Sequence, residues 1–131
     1  MTEKTPLVLD SWALLAFYRD EPSAGRVETA LRSGRPLHLC VVNWGEFAYV
    51  LLRERGADAM IRSVQTLDLL GIAVESVDRD VTLEAARIKA RGGLSYADAF
   101  CAATAVRLGA SVLTGDREFR VVEDLVKIEW L

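Results

Sequence analysis

Hydrophobic and polar positions alternate along the chain in blocks that predict short strands separated by helices. Apolar runs too short to form helices predict five strands, at residues 7–9, 37–42, 72–74, 112–113 and 126–130. The first run is continuous rather than alternating, as in a parallel strand that is buried on both faces. The pattern therefore predicts an open and mostly parallel sheet.

Apolar residues recur at helical spacing between these strands. Helices are predicted from residue 12 to 19, from 23 to about 32, from 43 to about 56, from 57 to 70, from 80 to the glycines at 92 and 93, and from 95 onward. The expected N-caps include Ser23, Asn43 and Asp80. Ile61 and Leu67 are expected to face the core. Strands that alternate with helices indicate an α/β sandwich with right-handed crossovers.

The length and composition are those of one folded domain. With 131 residues, of which 51% are hydrophobic and 27% charged, the chain can bury a core, and we assign residues 1–131 to a single domain. No apolar run approaches the roughly 18 residues that a membrane helix needs, and residues 1–6 lack the pattern of a signal peptide. The expected location is therefore the cytoplasm, without a membrane segment.

The chain has few of the side chains that bind soft metals or act as catalytic bases. Cys40 and Cys101 show neither metal-ligand spacing nor a disulfide framework, so we expect buried free thiols. His38 is the only histidine and falls in a strand without an evident partner. Histidine-based metal sites and Ser/His nucleophiles are therefore nearly excluded.

The net charge of −3 argues against a simple nucleic-acid binder, because phosphate contacts normally require a basic surface. A basic rim around an acidic centre would resolve this conflict. The candidates for such a rim are Arg19, Arg26, Arg32, Arg35, Lys89, Arg91, Arg117 and Arg120. Most charged residues on helices are nevertheless solvated faces.

Four carboxylates fall where a parallel sheet forms its ligand crevice. Asp10 and Asp116 come directly after strand-like runs, and Glu46 follows the second strand by a few residues. In open parallel sheets the crevice lies beyond the carboxyl ends of the strands. Asp98 stands in the first turn of an alanine-rich helix, and it joins the other acids only if the N-terminus of that helix points to the same edge.

Each acid also fits a purely structural role. Glu46 and Asp98 each stand at the last position of a possible capping box. Asp10 and Asp116 could each cap a helix, which contributes about 1 kcal/mol. Four carboxylates gathered at one edge would, however, repel one another unless they were protonated or bound to cations.

Clustered Asp and Glu side chains without His or Cys are oxygen ligands of the kind that Mg²⁺ prefers, with Mn²⁺ as the alternative. Mg²⁺ held by a few carboxylates also binds substrate phosphate, so an acidic pocket can take a polyanion. One or two such ions activate water and neutralise charge on a scissile phosphate. The residues therefore favour metal-dependent hydrolysis of a phosphodiester.

Four sequence motifs resemble those of PIN-domain ribonucleases and occur in the same order. They are Val8-Leu9-Asp10-Ser11, Asn43-Trp44-Gly45-Glu46, Leu94-Ser95-Tyr96-Ala97-Asp98-Ala99 and Leu113-Thr114-Gly115-Asp116-Arg117-Glu118-Phe119. Together they span nearly the whole chain. The length of the chain resembles that of the VapC toxins of type II toxin-antitoxin systems.

The resemblance implies a PIN-like three-layer α/β/α sandwich with a mostly parallel central sheet. It also implies a metal-dependent endoribonuclease that leaves 5′-phosphate and 3′-hydroxyl ends. The implied catalytic and metal-binding acids are Asp10, Glu46, Asp98 and Asp116, and the implied supporting hydroxyls are those of Ser11 and Thr114. The implied partners are an RNA substrate, a cognate antitoxin protein and a second copy of the chain in a homodimer.

Two other functional classes share features with this sequence. A receiver or phosphotransfer domain also opens with a strand that ends in aspartate, but no second acid stands two residues after Asp10 and no strand-end lysine follows Asp116. A catalytically silent PIN-like module that binds RNA or a protein partner stays open. Trp12 and Trp44 stand beside two of the acids, and we expect them to pack in the core or an interface rather than to stack on bases.

Overall fold

The computed structural model describes residues 5–131 and contains one sheet of five strands. Residues 1–4, on which part of the signal-peptide argument rests, lie outside the described residues. The strands are β1 (Leu7–Leu9), β2 (Leu37–Cys40), β3 (Ile72–Glu75), β4 (Ser111–Thr114) and β5 (Ile128–Trp130). Their order is β3-β2-β1-β4-β5, and every neighbouring pair is parallel. The predicted parallel sheet is confirmed, and the carboxyl ends of its strands share one edge.

Six α-helices lie in the described part of the chain. They are α1 (Ser11–Tyr18), α2 (Ala24–Leu31), α3 (Val41–Arg55), α4 (Ala57–Leu69), α5 (Arg79–Ala90) and α6 (Tyr96–Leu108). A short 3₁₀ helix, Arg117–Val122, lies between β4 and β5. Over residues 5–131, no helix has both the length and the apolar character needed to cross a membrane.

The sheet has a hydrophobic core on each face. On one face Val8 belongs to a cluster that includes Ile88 of α5 and buried residues of α6. On the other face Leu9 belongs to a cluster that includes Leu14 of α1 and Phe47 of α3. Successive residues of a strand point to opposite faces, so β1 contributes to both cores. This arrangement is the expected three-layer α/β/α sandwich.

Helix α6 is rich in alanine and brings its first turn to the carboxyl edge of the sheet. Ala99, Ala102 and Ala105 are completely buried, and their small side chains allow close packing against the strands. Gly109 ends the helix in the left-handed conformation, with a φ of +62°, and the chain turns into β4. Because α6 returns the chain to the amino edge before a parallel strand, its N-terminus lies at the opposite, carboxyl edge.

In the structure, α3 begins earlier than the sequence predicts. The apolar run at residues 37–42 reads as one strand, but β2 ends at Cys40 and α3 begins at Val41. Cys40 therefore occupies the N-cap position, and Asn43 already lies inside the helix. The prediction of Asn43 as the N-cap is wrong, because a continuous apolar run does not distinguish a buried strand from the buried start of a helix.

Three other local predictions also differ from the structure. The N-cap of α5 is Asp78, whose carboxylate accepts a hydrogen bond from the Val81 N–H at 2.9 Å, and not Asp80. Ser23 stands at the N-cap position of α2, but its side chain makes no capping hydrogen bond. In α4, Leu67 is buried as predicted, whereas Ile61 is 47% exposed because only a narrow stripe of this helix meets the core.

Candidate metal centre

Asp10 lies between β1 and α1 and is completely buried. As the N-cap of α1, it accepts a hydrogen bond at Oδ1 from the Ala13 backbone N–H, at 2.9 Å. Its Oδ2 accepts a second hydrogen bond from the Thr114 hydroxyl, at 2.6 Å. Asp10 therefore caps α1 and at the same time ties β1 to the end of β4.

Burial raises the pKa of Asp10 to about 8. The hydrogen bonds from Thr114 and Ala13 act in the opposite direction, and the charges of Asp98 and Asp116 raise the pKa further. The Thr114 hydroxyl contacts both Asp10 and the Asp116 N–H, and carboxylate oxygens of Asp116 and Asp98 lie within 4.8 Å of each other. The three aspartates therefore share one site.

Asp98 lies in the first turn of α6 and is 8% exposed. The Ser95 hydroxyl caps this helix by accepting a hydrogen bond from the Asp98 backbone N–H, at 3.1 Å. Burial raises the pKa of the Asp98 carboxyl to about 7, and the charges of Asp116 and Glu46 raise it further. The N-terminus of α6 thus points to the carboxyl edge of the sheet, as required for Asp98 to lie with the other acids.

Glu46 is half-buried on α3 and accepts a hydrogen bond from the Ser11 hydroxyl. Because α3 begins at Val41, Glu46 lies beyond the first turn, and the capping box considered for it is wrong. Ser11 instead holds this carboxylate toward α1. In that position its charge acts on Asp98.

Asn43 joins α3 to the start of α6. Its side chain is completely buried, and Nδ2 donates a hydrogen bond to the Ala97 carbonyl at 3.1 Å. Across residues 5–131, its Oδ1 is the one buried side-chain polar atom without a hydrogen-bond partner. Such an atom is unusual in a folded protein. It lies between the backbone segments that carry Glu46 and Asp98, so the polar lining of this region is incomplete without a further donor or a cation.

Asp116 follows β4 and is the N-cap of the 3₁₀ helix. Its Oδ1 accepts a hydrogen bond from the Glu118 backbone N–H at 3.0 Å, and its own N–H donates to Thr114 Oγ1 at 2.9 Å. The Thr114 hydroxyl therefore bridges the two strand-end acids, since it donates to Asp10 and accepts from Asp116.

Glu118 is an acid to which the sequence alone assigned no role. Its carboxylate and those of Asp98 and Asp116 offer oxygen atoms that all lie within 4.8 Å of one another. Asp98 is buried, Asp116 half-buried and Glu118 exposed, so the cluster runs from the interior to the surface. The signal in the sequence is an acid two residues after Asp116, and the 3₁₀ turn that Asp116 caps brings the two residues together.

The donor set of this site consists of oxygen atoms. Cys40 and Cys101 are free and buried, as expected, and His38 Nδ1 lies 2.9 Å from Glu75 Oε2. Oxygen donors without nitrogen or sulfur suit a hard divalent cation. A bound cation would also offset the repulsion among carboxylates that are buried together. The residues present therefore fit a divalent metal.

Half of the candidate basic rim is engaged in ion pairs elsewhere. These pairs are Arg19–Glu54, Arg32–Glu28, Arg35–Glu129 and Arg91–Asp124. Arg117 and Arg120 differ, because they lie on the 3₁₀ helix that Asp116 caps. The guanidinium carbon of Arg117 is 6.0 Å from the centre of the Trp130 ring. The positive charge next to the acidic cluster is thus carried by the 3₁₀ helix.

Replacing Thr114 by Val is expected to lower the free energy of unfolding by about 1–3 kcal/mol. Valine keeps the shape of the side chain but leaves Asp10 Oδ2 without its donor and the Asp116 N–H without its acceptor. Chemical denaturation of the wild type and the variant measures this change. Thr114→Ser, which keeps the hydroxyl, is the matched control. An unchanged unfolding free energy in Thr114→Val would contradict the bridging role of the hydroxyl.

Comparison with solved structures shows the same fold in several toxins and toxin–antitoxin complexes. The VapC20 toxin of Mycobacterium tuberculosis aligns with a TM-score of 0.74 at 19% identity, over 88% of this chain and 94% of that one. DNA-bound VapBC from Salmonella typhimurium aligns with a TM-score of 0.75 at 19% identity, over 95% and 97% of the two chains. For a toxin–antitoxin complex from Klebsiella pneumoniae the values are 0.74, 14%, 95% and 99%.

The fold is shared with these proteins at sequence identities too low to transfer their activities. No curated protein matches this chain. The PIN domain family model, however, matches residues 7–125, which include all four motifs that carry the acids. This match and the parallel sheet with its acidic edge lead to one conclusion: the chain belongs to the PIN domain family.

Proposed function

We propose that this chain is a metal-dependent endoribonuclease that hydrolyses RNA phosphodiester bonds and acts as the toxin of a toxin-antitoxin pair. The observation that carries the proposal is the grouping of Asp10, Glu46, Asp98 and Asp116 at the carboxyl edge of the sheet. The Thr114 hydroxyl joins Asp10 to Asp116, oxygen atoms of Asp98 and Asp116 lie within 4.8 Å of one another, and the Ser11 hydroxyl holds Glu46 toward α1. Membership of the PIN family supports the same activity. In this proposal the chain works as a single nuclease domain in the cytoplasm.

The acids divide into two groups by their contacts. Asp98, Asp116 and Glu118 have oxygen atoms close enough to one another to hold a cation together. Asp10 and Glu46 lie next to them, and each is held by a hydroxyl group: Asp10 by that of Thr114 and Glu46 by that of Ser11. Mg²⁺ is the preferred ion for such oxygen ligands, and Mn²⁺ is the alternative. When bound, the cation supplies activation of water and neutralisation of phosphate charge.

The residues of the chain orient the acids and keep them ready for the cation. Thr114 fixes the carboxylate of Asp10 from the side of β4, while the Ser95 cap fixes the first turn of α6 and hence Asp98. Buried carboxylates in such a frame need little reorganisation when they bind. Arg117 and Arg120, on the neighbouring 3₁₀ helix, are the positive charges placed to meet an RNA backbone near the acids.

The partners in this proposal are an antitoxin protein and a second copy of the chain. VapC20 is described as a toxin that cleaves the sarcin-ricin loop, and the Klebsiella pneumoniae structure is a toxin–antitoxin complex. Exposed apolar side chains on α3 and α4 support a protein partner. They are Tyr49, Leu52, Ile61 and Leu69. Because α3 and α4 pack against each other, their exposed apolar side chains are candidates for an interaction surface.

The proposal is tested by cleavage of a mixed pool of structured RNAs with purified protein in Mg²⁺, in Mn²⁺ and in excess chelator. We expect cleavage with either ion and none with the chelator, with 5′-phosphate and 3′-hydroxyl ends on the products. In the same assay Asp98→Asn is expected to lose cleavage, and Asp68→Asn is its matched control because Asp68 is an exposed carboxylate on α4, outside the acidic cluster. Binding of RNA or of a protein partner without cleavage in any condition would favour a catalytically silent PIN-like module instead.

A further inference from the structure

Gly115 stands between the two residues that complete the acidic site, Thr114 and Asp116. Its φ lies outside the left-handed region, so its backbone conformation is open to any residue. A requirement for glycine here must therefore come from its surroundings and not from its own backbone.

The surroundings of Gly115 are the indole of Trp12. A Cβ atom added to Gly115 would lie 2.5 Å from Cζ3 and 2.9 Å from Cζ2 of that ring, and closer still to Cη2. Atoms in close-packed proteins do not approach so closely. The far edge of the indole thus rests directly against the backbone of Gly115, in the space that any other residue would fill with its side chain.

Trp12 lies between residues that hold two of the acids, and its ring reaches the segment that carries a third. It lies in the first turn of α1, directly after Ser11, whose hydroxyl holds Glu46, and directly before Ala13, whose N–H holds Asp10. Its side chain is partly exposed, and its ring reaches the segment that carries Asp116. One side chain therefore connects the α1 side of the site to the β4 side.

We propose that Trp12 is a positioning residue for the metal site, and that position 115 requires glycine because the Trp12 ring occupies the space of a side chain there. Two of the contacts that hold residues 114–116 bear directly on Asp116: the hydrogen bond from the Asp116 N–H to Thr114 Oγ1 and the packing of the indole on Gly115. These contacts set the position of the Asp116 carboxylate relative to that of Asp98. The role in catalysis rests on the proposed nuclease function, whereas the role in metal binding does not.

The test is a pair of substitutions and their combination, read out by the affinity for Mn²⁺ in calorimetry. Gly115→Ala is expected to weaken Mn²⁺ binding at least tenfold, because the added methyl group displaces either the indole or the segment. Trp12→Leu is expected to weaken binding less, because it leaves a gap and no collision. In the combined variant the methyl group enters space vacated by the indole, so Mn²⁺ affinity is expected to return toward the wild-type value.

Gly45→Ala is the matched control. Gly45 directly precedes Glu46 as Gly115 directly precedes Asp116, its φ is likewise outside the left-handed region, and a Cβ there would meet no atom within 4 Å. This variant is expected to bind Mn²⁺ with wild-type affinity.

Three results would overturn the inference. They are wild-type Mn²⁺ affinity in Gly115→Ala, failure of Trp12→Leu to restore affinity in the Gly115→Ala background, and a wild-type protein that binds no Mn²⁺. Thermal unfolding of each variant identifies any variant that fails to fold. If Gly115→Ala fails to fold and the added Trp12→Leu substitution restores folding, that result supports the contact between the Trp12 ring and Gly115. If the wild type binds Mn²⁺ and the variants differ in Mn²⁺ affinity as expected, but the wild type cleaves no RNA, the proposed function is refuted and the positioning role remains.

Discussion

Replacing Asp98 by Asn is expected to reduce metal-dependent RNA cleavage by more than about 100-fold. Loss of a residue that only supports a metal ligand costs up to about 100-fold, and Asp98 is proposed to be a ligand itself. Asparagine keeps the size of the side chain but removes a negative charge from the group of oxygen atoms that Asp98 shares with Asp116 and Glu118. The measurement is the rate of RNA cleavage in Mg²⁺, together with the affinity for Mn²⁺, in the wild type and the variant.

The same substitution separates the functional role of Asp98 from a capping role. The cap of α6 is the Ser95 hydroxyl, which bonds to the Asp98 backbone N–H and is unaffected by the change. The metal-free variant is therefore expected to melt at or above the wild-type temperature, because a buried carboxyl with a raised pKa is removed. Full residual cleavage would remove Asp98 from the site, and a large loss of stability would favour a structural role.

The stability of the metal-free protein is expected to fall as the pH rises from about 5 to 8. The folded protein holds the pKa of Asp10 at about 8 and that of Asp98 at about 7, mainly through burial. In the unfolded chain an aspartate loses its proton near pH 4. The folded state thus binds more protons across this range, and each group lowers the unfolding free energy by up to about 1.4 kcal/mol per pH unit until its folded pKa is passed.

The measurement is chemical denaturation at several pH values in the presence of a chelator. Asp10→Asn is expected to remove most of the dependence above pH 7, because Asp98, with a pKa of about 7, has already lost half of its proton at pH 7, whereas Asp10, with a pKa of about 8, still holds most of its proton there. Carboxyls with lowered pKa, such as Asp78 and Asp124, titrate below this range and do not contribute. Mg²⁺ is expected to stabilise the protein more at pH 8 than at pH 5, because it binds the deprotonated carboxylates. Stability that rises from pH 5 to 8 without metal would contradict the burial of these two acids.

Local sequence patterns predicted the elements and the edge of the sheet at which the acids lie. The run at residues 7–9 is short and continuously apolar, as in a strand that is buried on both faces, and β1 is that strand. The alanine-rich segment after Ser95 forms α6 as expected. Because parallel strands end at one edge, the positions of Asp10 and Asp116 after their strands predicted that both acids lie at that edge, and the pairing of β1 with β4 makes them neighbours.

The ends of elements and the contacts between distant segments were beyond the sequence. Asn43 is inside α3, since an apolar run does not show where pairing in the sheet stops and a helix begins. The roles of Glu118 and Gly115 depend on residues brought near them by the fold, namely Asp98 and Trp12.

The sequence by itself determined the alternation of strands and helices, the oxygen-only chemistry of the candidate site and four of its candidate acids, Asp10, Glu46, Asp98 and Asp116. These properties depend on residue type and on spacing along the chain, which the sequence contains. Only the tertiary structure decided the strand order, the bridge that Thr114 makes between Asp10 and Asp116, and the raised pKa values of Asp10 and Asp98. Burial and side-chain contacts depend on distances between residues far apart in the chain, and those distances exist only once the sheet and its two helical layers have packed.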